Sequence, residues 1–265
     1  FVGAVLALYG FAQFNGYDFY KFNNVYESNV FGSFGNPNFQ SAFMGIAGAT
    51  ALTLAVFSSL KIYYKVALVA IVIIAIYNVS VSSQQGYLNF VAGFATAAII
   101  YLFKQKKVVL GWAALALFGF AVILFLLGIL DKGPLAQIIF KSSLQARNSY
   151  WRGAINLIFD HPFFGVGMDG FGDWYRRSWS GVSGVTDTAH SIPLDIGASG
   201  GLLLLFLHLV IIGLALFSVI RVVKRKDEFD VYFAAIVAAW VAYQVQSFIS
   251  INQLGLGVWG GRYQG

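Results

Sequence analysis

The residue of this chain best suited to acid–base chemistry is a histidine in its longest polar stretch. His190 lies in Thr188-Ala189-His190-Ser191, a few residues before an apolar run. An imidazole titrates near neutral pH, so a histidine can serve as the base that takes a proton from a hydroxyl group. Asp187 and Asp195 lie close enough in sequence to orient the ring. A purely structural histidine is the alternative reading of this spacing.

Four arginines occupy the same polar stretch as His190: Arg147, Arg152, Arg176 and Arg177. The planar guanidinium donates paired hydrogen bonds to phosphate oxygens, which makes arginine the preferred ligand of a diphosphate. We expect one or two of these arginines to contact such a substrate. The others then balance the acidic residues of the same stretch.

The sequence argues against a bound metal ion or cofactor. The chain has no cysteine, which removes disulfides, thiolate nucleophiles and cysteine-ligated metals from consideration. Its three histidines are His161, His190 and His208, and no two of them are three or four residues apart, as a helical metal site requires. We therefore expect no zinc site and no cofactor, while a metal site formed by dispersed aspartate and histidine side chains stays open.

Composition places these residues in a membrane protein. The chain is 58% hydrophobic and 11% charged, whereas soluble domains carry about 25% charged residues. Apolar runs long enough to span a bilayer cover residues 39–60, 63–81, 86–103, 108–130, 200–223 and 231–251, and residues 1–14 resemble the end of a seventh. The predicted fold is all-α: a polytopic membrane helix bundle with a large outer-face loop, residues 131–199, that contains short helices. Residues 1–265 form one membrane domain, which we interpret as a fragment of a longer chain because it lacks an initiator Met.

The charge pattern predicts the orientation of this domain. Nine cations and three acids in alternate gaps account for the whole net charge of +6: Lys61, Lys65, Lys104, Lys106, Lys107, Arg221, Lys224, Arg225 and Lys226 with Asp227, Glu228 and Asp230. By the positive-inside rule these gaps face the cytoplasm, and the loop 131–199 faces outward. The basic pI of 9.4 results from these cations, which we expect to be attracted to anionic lipid headgroups. We expect no nucleic-acid partner.

Within the loop, apolar residues recur at helical spacing and Pro162 follows them. Arg147 precedes Trp151 by one turn, so its guanidinium lies beside this apolar stripe. Two readings stay open: a helix on the membrane surface whose arginine points at a lipid-linked group, or a packed loop helix whose arginine reaches the headgroups. The stripe consists of Leu144, Trp151, Ile155, Ile158 and Phe159.

Gly200-Gly201, at the start of the fifth apolar run, favours close packing on another helix.

Several short motifs occur in a characteristic order. They are Phe34-Gly35-Asn36-Pro37-Asn38-Phe39, Arg147-x-x-x-Trp151-x-x-Ala154, His161-Pro162-Phe163-Phe164-Gly165-Val166-Gly167, and Ala189-His190-Ser191 leading to Gly200-Gly201-Leu202. On these motifs the chain resembles the O-antigen ligase/polymerase superfamily of bacterial membrane glycosyltransferases, from about residue 31 to its end. It departs from the superfamily at Ser82-Ser83-Gln84-Gln85-Gly86, where many members carry Ser-Arg-Gly, and at Ser199, where an acid is common.

The resemblance implies a bacterial surface-polysaccharide glycosyltransferase of the cytoplasmic (inner) membrane, with its active site facing the periplasm or exterior. Such enzymes transfer glycan from a polyprenyl-diphosphate carrier to a hydroxyl of a glycan, lipid or protein acceptor, without metal or nucleotide. By the resemblance His190 activates the acceptor and Arg147 holds the diphosphate. Whether the enzyme is a polymerase or a ligase stays open.

The main alternative is a membrane transporter of a lipid-linked or small anionic substrate. A transporter typically places ionisable groups at mid-membrane and repeats its architecture in two halves. Here His208 alone lies well inside a predicted span, and the sequence has no internal repeat. A membrane protein whose loop binds a partner is a further alternative.

Overall fold

The computed structural model describes residues 1–18, 30–139, 142–178, 186–225 and 227–252. The side chains of residues 138–139, 142–145 and 178, and hence that of the predicted stripe residue Leu144, lie outside the description, as does Lys226. Over the described ranges the chain forms helices and connecting loops and no strand. In chain order the helices are α1 (Val2–Phe14), a 3₁₀ turn (Gly32–Phe34), α2 (Pro37–Phe57), α3 (Ile62–Ser82), α4 (Gln85–Lys104), α5 (Val108–Ile129), α6 (Ala136–Ile139), α7 (Ser142–Asp160), α8 (Phe171–Ser178), α9 (Ile192–Lys224) and α10 (Val231–Ile249).

The membrane spans predicted from hydropathy are present. Within the described residues, six helices are long and apolar enough to cross a bilayer, namely α2, α3, α4, α5, α9 and α10. Five of them lie within a few residues of the predicted bounds, whereas α9 begins at Ile192 rather than near residue 200. The prediction of a polytopic all-helical membrane protein is confirmed.

The start of α2 follows from its sequence. Asn36 is the N-cap, and its side-chain oxygen accepts a hydrogen bond of 2.8 Å from the backbone N–H of Asn38. Pro37 occupies the first helical position, where its missing N–H costs nothing and its fixed φ suits a helix. The Gly-Asn-Pro sequence therefore begins this helix.

One compact unit comprises residues 1–111 and 223–246 of the described chain. Small residues let α2 and α4 approach closely within it, as is common where membrane helices pack. The backbone N–H of Gly86 donates to the Ser41 hydroxyl at 2.9 Å. A Cβ placed on Gly86 would lie 2.3 Å from the Ser41 carbonyl oxygen, and one on Gly45 would lie 2.3 Å from the Gly86 carbonyl oxygen. The two helices therefore touch through backbone.

Buried amides also join the helices of this unit. The Asn78 side chain donates to the Ala7 carbonyl oxygen at 2.9 Å and accepts from Gln40 at 3.2 Å, which links α1, α2 and α3. The Gln246 side-chain oxygen accepts from both Gln85 and Asn89, which links α10 to α4. Uncharged amides have a lower desolvation cost in an apolar medium than ions would incur. Among the described residues, Gln40 Oε1, Asn89 Oδ1 and Gln246 Nε2 are buried without a hydrogen-bond partner.

The second unit comprises residues 112–222 and 247–252. Its apolar core lies where α7, α8 and the first turns of α9 meet. Phe171 and Tyr175 of α8 stack with ring centroids 5.5 Å apart, and Tyr150 of α7 meets Tyr175 edge-on at 5.7 Å. The buried members of this core are Ala154, Leu157, Ile158, Phe171, Tyr175, Ala189 and Ala198.

Helix α9 is interrupted at Gly201, whose φ of 78° and ψ of −177° are not helical. The segment 162–167 runs against this break. Pro162 accepts a hydrogen bond of 2.7 Å from the Leu202 N–H, and Val166 donates one of 2.8 Å to the Ala198 carbonyl oxygen. A Cβ on Gly201 would lie 2.5 Å from the Phe163 carbonyl oxygen. The glycine pair thus admits a backbone turn here, rather than the neighbouring helix that its sequence favours.

Gly86→Val should destabilise the first unit because the added methyl groups meet the backbone of α2. Overpacking of this kind lowers the free energy of unfolding by roughly 1–3 kcal/mol. Gly119→Val in α5 is the matched control, since apart from its own helical backbone no atom of the described residues lies within 4 Å of a Cβ built there. Thermal unfolding in detergent micelles measures both variants. Equal transition temperatures would contradict the packing described for α2 and α4.

Candidate functional site

His190 is held in an unusual backbone conformation. Its φ of 54° lies in the left-handed region, which residues other than glycine rarely adopt. Such strain persists only where the surroundings fix it, and it is frequent at functional sites. Two consecutive residues of α7 contact this histidine. The Trp151 indole N–H donates to the His190 carbonyl oxygen at 3.4 Å, and the Tyr150 ring lies 5.3 Å from the imidazole.

Asp195, in the first turn of α9, also fixes the conformation before His190. One of its carboxylate oxygens accepts a hydrogen bond of 2.5 Å from the Ala189 N–H. Asp187 is exposed and instead accepts a hydrogen bond of 3.2 Å from Arg176. Neither described carboxylate has a hydrogen bond to the imidazole, so the structure brings Asp195 to the His190 backbone and leaves Asp187 on the surface. A carboxylate that orients the ring stays a prediction from sequence.

Thr188 contacts the imidazole itself. The Nδ1 atom of His190 lies 3.3 Å from the Thr188 carbonyl oxygen and 3.3 Å from the Thr188 hydroxyl. A carbonyl oxygen only accepts, so this contact favours the tautomer that carries its proton on Nδ1 and its lone pair on Nε2. Nε2 has no hydrogen-bond partner within the described part of the chain. It is the atom available to take a proton.

Arg147 lies on α7 one turn before Tyr150 and Trp151, so a cation shares the helix that holds His190. It is half-buried, and its guanidinium donates to the carbonyl oxygen of Ile249, the last residue of α10, at 2.8 Å. A helix C-terminus carries partial negative charge, which stabilises a cation there. Burial lowers the pKa of Arg147, yet a guanidinium stays charged at neutral pH.

The surroundings of His190 favour its neutral form. Burial lowers the pKa of the imidazole, the hydrogen bond with the Thr188 carbonyl opposes that effect, and the positive charge of Arg147 lowers the pKa further. A lowered pKa keeps the ring unprotonated at neutral pH. The geometry therefore provides a neutral base beside a permanent cation.

The other predicted arginines lie away from this pair. Arg176 is exposed and bonds both Asp173 and Asp187, and these hydrogen bonds raise the pKa of its guanidinium. Arg152 on α7 and Arg177 on α8 are exposed to solvent. Of the four candidates, the structure places Arg147 nearest the environment of His190 and distributes the rest over the surface of the loop.

Sequence reasoning missed the contributions of Tyr150 and Thr188. The Tyr150-Trp151 pair carries a detectable signal, because adjacent aromatic residues beside Arg147 occur in an otherwise polar part of α7. Thr188 carries little signal, because threonines near a histidine are common and their contacts depend on the turn that the backbone makes. The left-handed conformation of His190 is also unreadable from its residue type.

A family model described as O-antigen ligase matches residues 69–209, more than half of the chain, and the match includes Arg147 and His190. This chain belongs to the O-antigen ligase family. Membership makes it a multi-pass membrane enzyme of surface-polysaccharide biosynthesis, of glycosyltransferase-like type. No curated protein matches the chain. In this O-antigen ligase family member, the superfamily resemblance seen in the motifs is confirmed.

Arg147→Gln should raise the pKa of His190 in this family member, because it removes one of the two influences that lower it. Burial remains, so the pKa should not recover fully. Arg152→Gln removes an exposed charge from the same helix and should leave the titration unchanged. NMR titration of the histidine rings, with His190→Gln used to assign the signal, measures the effect. An identical titration in wild type and Arg147→Gln would refute the electrostatic coupling.

Proposed function

We propose that this protein transfers a glycan from a polyprenyl-diphosphate carrier to an acceptor hydroxyl at the outer face of the bacterial cytoplasmic membrane. The observation that carries the proposal is the His190 imidazole, whose Nδ1 faces the Thr188 carbonyl while its Nε2 lies without a partner in the described chain. Family membership supports the reaction class. The positive-inside pattern of the loops supports the outer face.

In the proposed step, Nε2 of His190 takes the proton of the acceptor hydroxyl. The acceptor oxygen forms a bond to the anomeric carbon of the glycan as the bond from that carbon to the diphosphate oxygen breaks. The leaving polyprenyl diphosphate keeps the electron pair, and the imidazolium later releases its proton to solvent. Because burial and Arg147 lower the pKa of His190, the base is already neutral when the acceptor binds.

Arg147 is the proposed ligand of the diphosphate. Negative charge develops on the leaving oxygen, and a preorganised cation there lowers the barrier without a metal ion. The half-buried guanidinium is already held by the Ile249 carbonyl, so little ordering is needed when the donor binds. Arg152, Arg176 and Arg177, exposed on the same loop, are proposed to attract the anionic donor toward the site.

The acceptor is the unassigned part of the proposal. A glycan that is itself carrier-linked would make the protein a polymerase, and a lipid or protein acceptor would make it a ligase. The length pattern of the glycan product separates the two. A polymerase variant without activity yields single repeat units, and a ligase variant without activity leaves polymer on the carrier.

His190→Ala should abolish glycan display by a host that lacks the full-length gene, at equal membrane abundance. Loss of a general base lowers the rate by roughly 10²- to 10⁴-fold. His161→Ala is the matched control, because His161 meets the Trp174 ring edge-on with centroids 4.5 Å apart and has no assigned part in transfer.

The rescue experiment has two outcomes that count against the proposal. Equal display by wild type and His190→Ala would remove His190 from the chemistry. Failure of wild type itself to restore display, with flux of a lipid-linked substrate restored in vesicles, would favour a transporter instead.

Arg147→Lys should slow transfer although it keeps the charge, because an ammonium does not reproduce the paired hydrogen bonds of a guanidinium. A charge-assisted hydrogen bond contributes roughly 1.5–3 kcal/mol, which corresponds to a decrease of about 10- to 150-fold in rate. Arg152→Lys changes an exposed guanidinium on the same helix and should have a smaller effect. The initial rate of transfer from purified lipid-linked donor measures both. Full activity of Arg147→Lys would place the diphosphate elsewhere.

A further inference from the structure

Large apolar side chains at the end of α7 and in the turn after it are exposed in the described chain. Phe164 is 87% exposed, Met168 86%, Phe163 78% and Phe159 72%. Ile155 is also exposed. Scattered exposed apolar residues are ordinary, but five large ones between residues 155 and 168 indicate an interaction surface. We refer to these five residues as the apolar rim.

The exposed side of α7 is itself divided. Arg152, Asn156 and Asp160 form a polar stripe at intervals of four residues, and all three are exposed. Ile155 and Phe159, also four residues apart, form an apolar stripe next to it. Residues spaced in this way lie on the same side of a helix. A helix with adjacent polar and apolar exposed stripes is suited to a boundary between water and lipid.

The turn after α7 continues the apolar stripe. Residues 162–168 carry no charged side chain. Gly165 has a φ of 63°, and a Cβ there would lie 2.4 Å from the Ala198 carbonyl oxygen, so the turn is fitted closely to α9. Phe163 and Phe164 therefore extend outward from a backbone that is fixed by hydrogen bonds rather than from a loose loop.

The position of this turn on α9 identifies what covers the rim. Its hydrogen bonds end at Leu202, where the apolar part of α9 begins. From that point α9 exposes a nearly continuous apolar surface, as expected of a helix that faces lipid. The exposed residues just after the break are Leu202, Leu203, Leu204 and Phe206. The turn that carries Phe163, Phe164 and Met168 is thus bonded to α9 at the start of its exposed apolar surface.

We propose that the apolar rim is immersed in the acyl chains of the bilayer leaflet that α9 enters at Gly201. In this arrangement α7 lies along the membrane surface, with Arg152, Asn156 and Asp160 in the headgroup and water layer. The rim holds the part of the chain that carries Arg147 at a fixed depth. The inference concerns membrane depth and is independent of the transfer reaction.

Depth is measurable residue by residue because the chain has no cysteine. Phe159→Cys, Phe164→Cys and Met168→Cys, each made in the full-length protein with any cysteine outside these 265 residues replaced by serine, provide unique sites for a nitroxide label. Asn156→Cys, from the polar stripe of the same helix, is the matched control. The labelled proteins are reconstituted in vesicles of phosphatidylethanolamine and phosphatidylglycerol. Collision rates with oxygen, which concentrates in lipid, and with a water-soluble nickel chelate are then compared by electron paramagnetic resonance.

The expected result is a higher ratio of oxygen to nickel collisions at residues 159, 164 and 168 than at residue 156. Nickel collision rates at the rim as high as those at residue 156 would overturn the proposal, because the rim would then lie in water. Protection of the rim from both reagents would also overturn it, because protein rather than lipid would cover the surface. Membrane yield of each variant, compared with wild type, identifies any variant that does not fold.

Discussion

The interruption of α9 at Gly201 is the constraint on which the arrangement of the second unit depends. A break in a helix frees backbone donors and acceptors, and these must find partners where water is scarce. The segment 162–167 supplies them through the Pro162 carbonyl and the Val166 N–H. Only glycine fits at residue 201, because its φ is positive and a carbonyl lies where a Cβ would be. The end of α7 is thereby attached to the beginning of α9.

This attachment determines the geometry of His190. The residues around His190 contact both α7 and the first turn of α9. The Trp151 indole of α7 donates a hydrogen bond to the His190 carbonyl oxygen, and the Asp195 carboxylate of α9 accepts one from the Ala189 N–H. A left-handed non-glycine residue costs on the order of 1–3 kcal/mol, and two hydrogen bonds of roughly 0.5–1.5 kcal/mol each offset a cost of that size. Arg147, on the same helix as Trp151, is positioned by the same contacts. The strained backbone of His190, its imidazole and the Arg147 guanidinium are therefore all positioned by the packing of α7 and α9.

Much of the membrane fold was predictable because each span is a local property of composition. Mean hydropathy over about 20 residues locates α2, α3, α4, α5 and α10, and Asn36-Pro37 locates the start of one of them. The early start of α9 was not predictable, because residues 192–200 are too polar to resemble a span and are helical through packing on α7. The buried contact between Gln40 and Asn78 was equally inaccessible, because amides in two separate spans give no sign that they meet.

For the candidate site, the sequence by itself determined the residue types: a histidine and an arginine in one polar loop, with neither cysteine nor histidine at metal-binding spacing. It also determined the order of motifs that places the chain in its family. Tertiary structure decided which of four arginines lies with His190, which atoms Asp195 and Asp187 contact, and which imidazole nitrogen is available. These features depend on distances between residues up to 102 positions apart, such as Arg147 and Ile249. Side-chain chemistry is encoded locally, whereas proximity, burial and the pKa changes they cause arise only when distant segments pack together.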